Sequence, residues 1–388
     1  MIGAWAFVAG GFGWALAGLS LTGTLYMVAA GRTLRRFYAH RPVPAPRREG
    51  VTLIKPLYGA EPRLEDNLAS FLTQHHRGPV QLLCGVQRAD DPAIAAVEAL
   101  QHRFPQARID LVIDPAPHGA NLKIANLINL QPHIAHDTVV LSDSDMAVGP
   151  AYLATLLAAL DRPGVGAVTL AYCGRGDAGF WSRVAAAGLS WQFLPGAVFG
   201  AVGGMARPCM GSTIALRRET LLKIGGFARF ADVLADDYAL GEAVAGLGLG
   251  VELAALLVTH ASTEPDFAAL WRHELRWGAT VRDLVPVSYL LGVIAMPLPL
   301  ALLALPLQPR AALICVALAL VVRCGVAIVA DRVQGARTAP LWTLPLRDCL
   351  TFVVFCASLT VRSVDWRGAS LKLHAQGRIS ANPEIPAS

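Results

Sequence analysis

Thirty consecutive residues, Ile2 to Gly31, carry no charge, and Arg32, Arg35 and Arg36 follow them directly. A run of this length crosses a bilayer whose hydrocarbon core is about 30 Å thick. A secretory leader has the opposite order, with positive charge ahead of a shorter apolar stretch and a cleavage site behind it. Residues 1–31 therefore read as a transmembrane anchor with its N-terminus outside, and 32–50 as a basic linker inside. Residues 284–330 predict two more spanning helices, 284–306 and 311–330, split by Gln308-Pro309-Arg310. Arg332, Arg337 and Arg347 place the next loop inside. The last apolar stretch, 348–361, is too short to span, so 331–361 is expected to be interfacial or re-entrant and 362–388 a cytoplasmic tail.

Composition agrees with an integral membrane protein: 54% of the 388 residues are hydrophobic and 16% charged, against about 25% charged in soluble domains. This excludes a disordered, collagen-like or coiled-coil chain. A net charge of +5 is weak support for nucleic-acid binding, and none is expected. The seven cysteines show neither paired nor metal-ligand spacing, which fits reduced thiols and a cytoplasmic working face. Val184–Ala206 is also uncharged, but Pro195 and five glycines weaken a spanning helix there. If it spanned, the acidic motifs on its two sides would lie on opposite faces of the membrane. It is expected to be a lipid-touching part of the domain.

Residues 51–265 form the expected catalytic domain. Strand patterns at Val51–Leu57, Val80–Val86, Ile109–Ile113 and Thr138–Leu141 alternate with helical patterns at Pro62–His75, Pro92–Phe104 and Leu122–Ile134. Such alternation predicts an α/β domain with a doubly wound, mostly parallel sheet, whose ligands bind at the carboxyl ends of the strands. Asp143-Ser144-Asp145 leaves the fourth strand at that edge. Two carboxylates one residue apart suit a hard divalent cation together with a nucleotide; a solvated turn capping the next helix is the plainer alternative. Asp90-Asp91-Pro92 closes the second strand, and Asp236-Asp237-Tyr238 follows Gly225-Gly226-Phe227. Arg272-His273-Glu274-Leu275-Arg276-Trp277 falls in a predicted interfacial helix, 266–283. The ten histidines are scattered, none is assigned to a metal, and they read as surface or helix-end residues.

In this order, these motifs resemble the D, DxD, D, (Q/R)xxRW signature of family-2-like glycosyltransferases. The closest likeness is to family 21, the ceramide glucosyltransferase type. Leu53–Leu57, Val86–Ile94, Asn121–Leu127 and Asp365-Trp366-Arg367-Gly368 extend the likeness over about 51–370. Within that branch, Gly119-Ala120-Asn121, Arg207–Arg218 and Trp271–Trp277 are similar to the bacterial hopanoid-biosynthesis-associated glycosyltransferases. Animal ceramide enzymes keep only the first Asp of the DxD, whereas this chain has both.

The resemblance implies a GT-A-like fold and a membrane-bound inverting transfer from a UDP-sugar to a lipid hydroxyl, giving a β-glycolipid. The hopanoid likeness implies UDP-N-acetylglucosamine and bacteriohopanetetrol at a bacterial inner membrane. The alternative is a ceramide or diacylglycerol glucosyltransferase using UDP-glucose. Asp143 and Asp145 would hold Mg²⁺ or Mn²⁺, and Arg276 and Arg272 would meet the diphosphate, with Asp143 also contacting the nucleotide. Lys55, Asp91 and Lys123 would seat the uridine, and Asp237 would be the base. Trp277 is expected to be an acceptor platform, or else an aromatic-belt anchor. Two spanning helices after the domain are too few to line a polymer channel. A transporter would carry its acidic residues within membrane segments, which these motifs do not.

Overall fold

The computed structural model describes residues 2–39, 44–206, 209–361, 363–366, 369–373 and 377–381. Arg207-Pro208 and Arg367-Gly368, each part of a stretch quoted above, and residues 382–388 of the tail lie outside the described residues.

Eight strands form the central sheet: β1 (Val51–Pro56), β2 (Val80–Val86), β3 (Arg108–Ile113), β4 (Thr138–Leu141), β5 (Met146–Ala147), β6 (Val165–Gly176), β7 (Ile214–Arg217) and β8 (Gly250–Ser262). Their spatial order is β3-β2-β1-β4-β7-β6-β8-β5. The first four are parallel, as the alternation predicts. Beyond β4 the sheet is mixed: β7 runs antiparallel to β4 and β6, β8 is parallel to β6, and β5 is antiparallel to β8. Six of the eight strands run in one direction, and β7 and β5 oppose them; at four and two residues these are too short for periodicity to reveal them. The geometry has a useful result. β1, β2, β3, β4, β6 and β8 all end at one edge of the sheet, and β7 begins there.

Helices Leu64–Leu72, Ala93–Arg103 and Leu122–Leu130 cover the parallel half. The last starts at Asn121, whose side chain accepts from Ile124 N at 3.1 Å and donates to Val233 O at 2.6 Å. One residue thus caps the helix and fixes the loop that leads to Asp236. The C-terminal segment returns to the same loop. Its small antiparallel sheet (Ser363–Trp366, Ala369–Leu373, Ile379–Ala381) docks through Leu234 N to Gly377 O and Ile379 N to Asp232 O, both 2.9 Å.

Among the described residues, four helices are long and apolar enough to cross a membrane: Gly10–Phe37, Phe180–Val202, Pro309–Gln334 and Leu341–Ser358. The expected single span at 284–306 is instead two helices, Pro286–Ala295 and Pro297–Ala304, bent by 68°. Pro297 and Pro299 supply no N–H for a continuous ladder. The N-terminal helix, Ile2–Phe37, packs against this bend. A Cβ on Gly23 would fall 2.0 Å from Ile294 O, so only glycine permits the crossing.

Phe180–Val202 remains helical through Pro195 because a π turn, Leu189–Phe193, absorbs the missing hydrogen bond. Cys209 is already back at the sheet domain seven residues after Val202. The helix packs between the N-terminal helix and β6 of the sheet domain.

The last apolar segment is longer than the expected 348–361, since the helix begins at Leu344 and runs through Arg347 and Asp348. Both are buried and paired. Asp348 takes a bidentate bond from Arg323, at 2.9 and 2.8 Å, and Arg323 also donates to Trp191 O at 2.7 Å. Trp191 O is the acceptor that Pro195 leaves free. Arg347 pairs with Glu274 through both guanidinium ends. Charges that ended the apolar run in sequence are, in the fold, pins between helices. Replacing Arg323 by Met leaves the buried Asp348 carboxylate without its counter-charge, though Gln192 still donates to it at 2.9 Å, and is expected to lower stability by about 3–5 kcal/mol. Thermal unfolding in detergent measures this, and Arg323→Met/Asp348→Leu should regain most of the loss.

Candidate active site

The shared strand edge brings together residues far apart in sequence. Asp143 leaves β4, and Gly211 precedes the start of β7, with Asp143 N donating to Gly211 O at 3.2 Å. Asp236 and Asp237 open the helix Asp236–Ala245. Lys123 joins these elements: its ammonium lies 2.8 Å from Asp143 Oδ1 and 2.9 Å from Asp236 Oδ2. Gly211 is the floor. A Cβ there would lie 2.8 Å from Asp143 Oδ2, 3.3 Å from Lys123 Nζ and 3.5 Å from Asp237 Oδ2. Asp237 accepts from Gly211 N at 2.9 Å and from Tyr238 N at 2.8 Å. The first Asp of the DxD and the proposed base thus meet over one glycine.

Burial sets the protonation of the cluster. It acts to lower the Lys123 ammonium, but Asp143, Asp236 and Asp237 outweigh it, and the net shift is upward. Desolvation raises Asp143, against the pull of Lys123. Asp237 is pushed up to about 6, by burial first and then by the charge of Asp236. A carboxylate held there can take a proton near neutrality.

Asp145 faces the other side of its turn. Its Oδ2 lies 3.1 Å from His260 Nε2 at the end of β8, and its buried Oδ1 has no hydrogen-bond partner. Burial would raise this carboxyl, but His260 outweighs it and holds it below the usual range. Burial would lower His260, but Asp145 raises it to about 9. His260 is buried, contrary to the expectation that the histidines are surface or helix-end residues. Its signal was only its place at the end of a long apolar strand.

Lys55 is fully buried beneath the DxD turn. It donates to Ser142 Oγ at 2.9 Å and Asp143 O at 2.8 Å, and its ammonium sits 3.4 Å from the centre of the Phe71 ring. Burial lowers it to about 7. It holds the turn from below and does not reach the nucleotide-sized hollow, and neither does Lys123. That hollow, of about 340 Å³, lies past the ends of β1, β2 and β3 and is lined by Tyr58, Gln87, Asp91, His118 and Gly119, among others. Asp91 also accepts from Gly59 N and Ala93 N, both at 2.9 Å, so it is a cap and a wall at once.

On the β8 side a second cavity, of about 590 Å³, lies between the domain and the membrane helices. Its apolar wall includes Met27, Leu189, Phe193, Leu270, Trp277 and Val281. The helix Phe267–Leu284 turns residues 270, 273, 274, 277, 278 and 281 toward it, a single helical stripe. Trp277 lines the cavity; Arg276 is half-buried and Arg272 is exposed on the same helix.

The residues present fit a hard cation. Asp145 Oδ1 is buried and free of partners, and Asp143 Oδ2 faces the open side of Gly211. Among the described residues no third His, Cys, Asp or Glu completes a closed site, which suits a Mg²⁺-like ion that draws its other ligands from phosphate and water.

A mixed sheet with its acidic residues gathered at one edge, over a membrane-facing cavity, is the architecture of a sugar transferase. The family model "Glycosyl transferase family 21" matches residues 14–379, and the chain belongs to that family. Ceramide glucosyltransferase 1 of Caenorhabditis elegans is 26% identical over 244 residues, 60% of this chain and 50% of the relative. Ceramide glucosyltransferase 3 of the same organism is 28% identical over 204 residues, 51% of this chain and 43% of the relative. The matches span about half the length of these relatives. A mannosyltransferase from Pyrobaculum calidifontis, solved with GDP-Man and Mn²⁺, superposes with a TM-score of 0.52 at 19% identity, over 91% of this chain and 99% of that one, a likeness of fold alone.

The expectation of N-acetylglucosamine transfer to a hopanoid is overturned, because the curated relatives are ceramide glucosyltransferases. Of the stretches that carried the hopanoid likeness, Asn121 and Gly211 build the cap and floor of the acidic cluster, while His273, Glu274 and Trp277 line the apolar cavity.

Gly211→Ala tests the floor. Its methyl group meets Asp143 Oδ2 well inside normal contact, so UDP affinity in the presence of Mn²⁺ should fall about 10- to 100-fold, the worth of one charged hydrogen bond. Calorimetric titration beside an unchanged unfolding curve is the check.

Proposed function

We propose that this protein is a membrane-bound, inverting glucosyltransferase that moves glucose from UDP-glucose to a hydroxyl of a ceramide-type lipid. The observation that carries this reading is the meeting of Asp143 and Asp237 over Gly211, between a nucleoside-sized hollow and a membrane-facing apolar cavity. The ceramide glucosyltransferase relatives support the choice of donor and acceptor. On this reading the domain is GT-A-like and faces the cytoplasm, with Arg32, Arg35 and Arg36 at the inner end of the N-terminal helix.

Uracil and ribose occupy the hollow beside Tyr58 and Asp91. The diphosphate lies over Asp143 and Asp145, with Arg276 as a fork-shaped donor from the helix Phe267–Leu284. When bound there, a divalent cation supplies positive charge to the departing UDP. Lys123 keeps Asp143 and Asp236 neutralised, and Lys55 keeps the turn that carries them fixed. The acceptor chains fill the 590 Å³ cavity against Trp277. Asp237 takes the proton of the acceptor hydroxyl as that oxygen attacks the anomeric carbon and the bond to UDP breaks. One displacement inverts that carbon.

Purified protein should form a glucosylated lipid from UDP-glucose and a short-chain ceramide, read by mass spectrometry. Absence of product with every pairing of UDP-glucose or UDP-N-acetylglucosamine with ceramide or diacylglycerol would refute the reading. Asp237→Asn should keep UDP affinity and slow single-turnover transfer about 10²–10⁴-fold. Asp145→Asn should instead weaken Mn²⁺-dependent UDP binding, since an amide is a poorer ligand for a hard cation. An unchanged metal requirement would remove Asp145 from the ion.

A further inference from the structure

The membrane-facing cavity is apolar over most of its wall, yet the protein leaves two buried oxygens in that wall without partners. Ser262 Oγ and Glu264 Oε2 make no hydrogen bond, and both residues line the cavity. They are 1% and 7% exposed. The other oxygen of Glu264 is bonded to His273 Nδ1, and the His273 ring packs edge-on against Trp277 with centroids 5.1 Å apart. Burial would raise the Glu264 carboxyl, but the bond to His273 outweighs it and holds it below the usual range. The carboxylate thus keeps one buried oxygen without a donor, in a residue that lines the cavity. Leaving such an acceptor unmet is costly, and a ligand that brings a donor to it gains correspondingly.

The position of these oxygens links them to the reaction. Ser262 is the last residue of β8, two beyond His260, which is bonded to Asp145. Ala261 N between them donates to Asp145 O at 2.8 Å. The cavity wall at Ser262 and Glu264 is thus continuous with the second Asp of the DxD.

We propose that Glu264, oriented by His273, and Ser262 anchor the acceptor headgroup and select lipids that carry a second N–H or O–H donor beside the hydroxyl receiving the sugar. This rests on the cavity being the acceptor site. An N-acylated sphingoid base brings an amide N–H and a further hydroxyl. A diacylglycerol brings two esters, which only accept, and its single hydroxyl is consumed by the reaction. With diacylglycerol bound, Glu264 Oε2 faces other acceptors and stays unpaired. A site with a buried polar group rejects an analogue that cannot pair it more strongly than an apolar site rejects a missing methylene.

The test uses the full chain in detergent micelles, with short-chain ceramide and short-chain diacylglycerol compared in two ways. Transfer from UDP-glucose gives a ratio of kcat/KM for the two lipids, and equilibrium binding without UDP-glucose gives a ratio of affinities. Both ratios should favour ceramide in the native protein. Glu264→Leu should reduce each about 10- to 100-fold, and Ser262→Ala should reduce each less, with the KM for UDP-glucose unchanged. Glu264→Gln preserves the shape and decides the matter if the leucine variant does not fold; it too should narrow both ratios. Preferential ceramide binding that Glu264→Gln removes, without transfer to either lipid, would uphold the anchor and refute the proposed reaction. No preference in the native protein, or equal losses for both lipids in the variants, would overturn the anchor.

Discussion

One buried ammonium organises the site. Lys123 stands between Asp143, at the end of β4, and Asp236, at the start of a helix nearly a hundred residues later. Without that cation, three carboxylates would crowd a space too dry to hold them ionised. With it, Asp143 and Asp237 come close enough to share Gly211 as a floor. The ammonium is placed by Asn121, which caps the helix carrying it and also ties down the loop before Asp236. Helix start, strand end and acidic turn are therefore one unit, and nucleotide and proton chemistry can meet there.

The membrane half depends on buried charge as well. Arg323 fastens Asp348 and the π turn at Trp191, and Arg347 fastens Glu274 on the helix that also carries Arg276 and Trp277. Ion pairs in an apolar setting are retained where geometry matters and stability gains little from them. Here they fix the helix Phe267–Leu284 against the last apolar helix, and so fix the shape of the cavity beside it.

Much of this was legible in sequence. Four strands, three helices and the long apolar N-terminal helix could be placed from periodicity and charge alone, and the resemblance singled out Asp143 and Asp237, which the fold brings together over Gly211. The reversal of β7 and β5 could not, because strands of four and two residues are too short to carry an alternating signal. The bend at Met296 was hidden inside a long apolar run, and the last helix looked short because Arg347 and Asp348 resembled its end. Lys55 was assigned to the nucleotide because it falls in a stretch that resembles the family, whereas its ammonium lies beneath the DxD turn. His260 and Glu264 became visible only once β8 was set beside Asp145, a contact that no local spacing encodes.

The nucleotide-sized hollow lies on the β1–β3 side of Gly211 and the apolar cavity on the β8 side, so the proposed donor and acceptor approach the acidic cluster from different directions. A photoreactive ceramide bearing a diazirine in its acyl chain tests this geometry most directly. Irradiated with the full chain, UDP and Mn²⁺ and mapped by mass spectrometry, it should label the helix Phe267–Leu284 near Leu270, Trp277 or Val281, and unlabelled ceramide should compete. Label confined to the outer face of Pro309–Gln334, or label that ceramide does not displace, would contradict an acceptor path through the cavity.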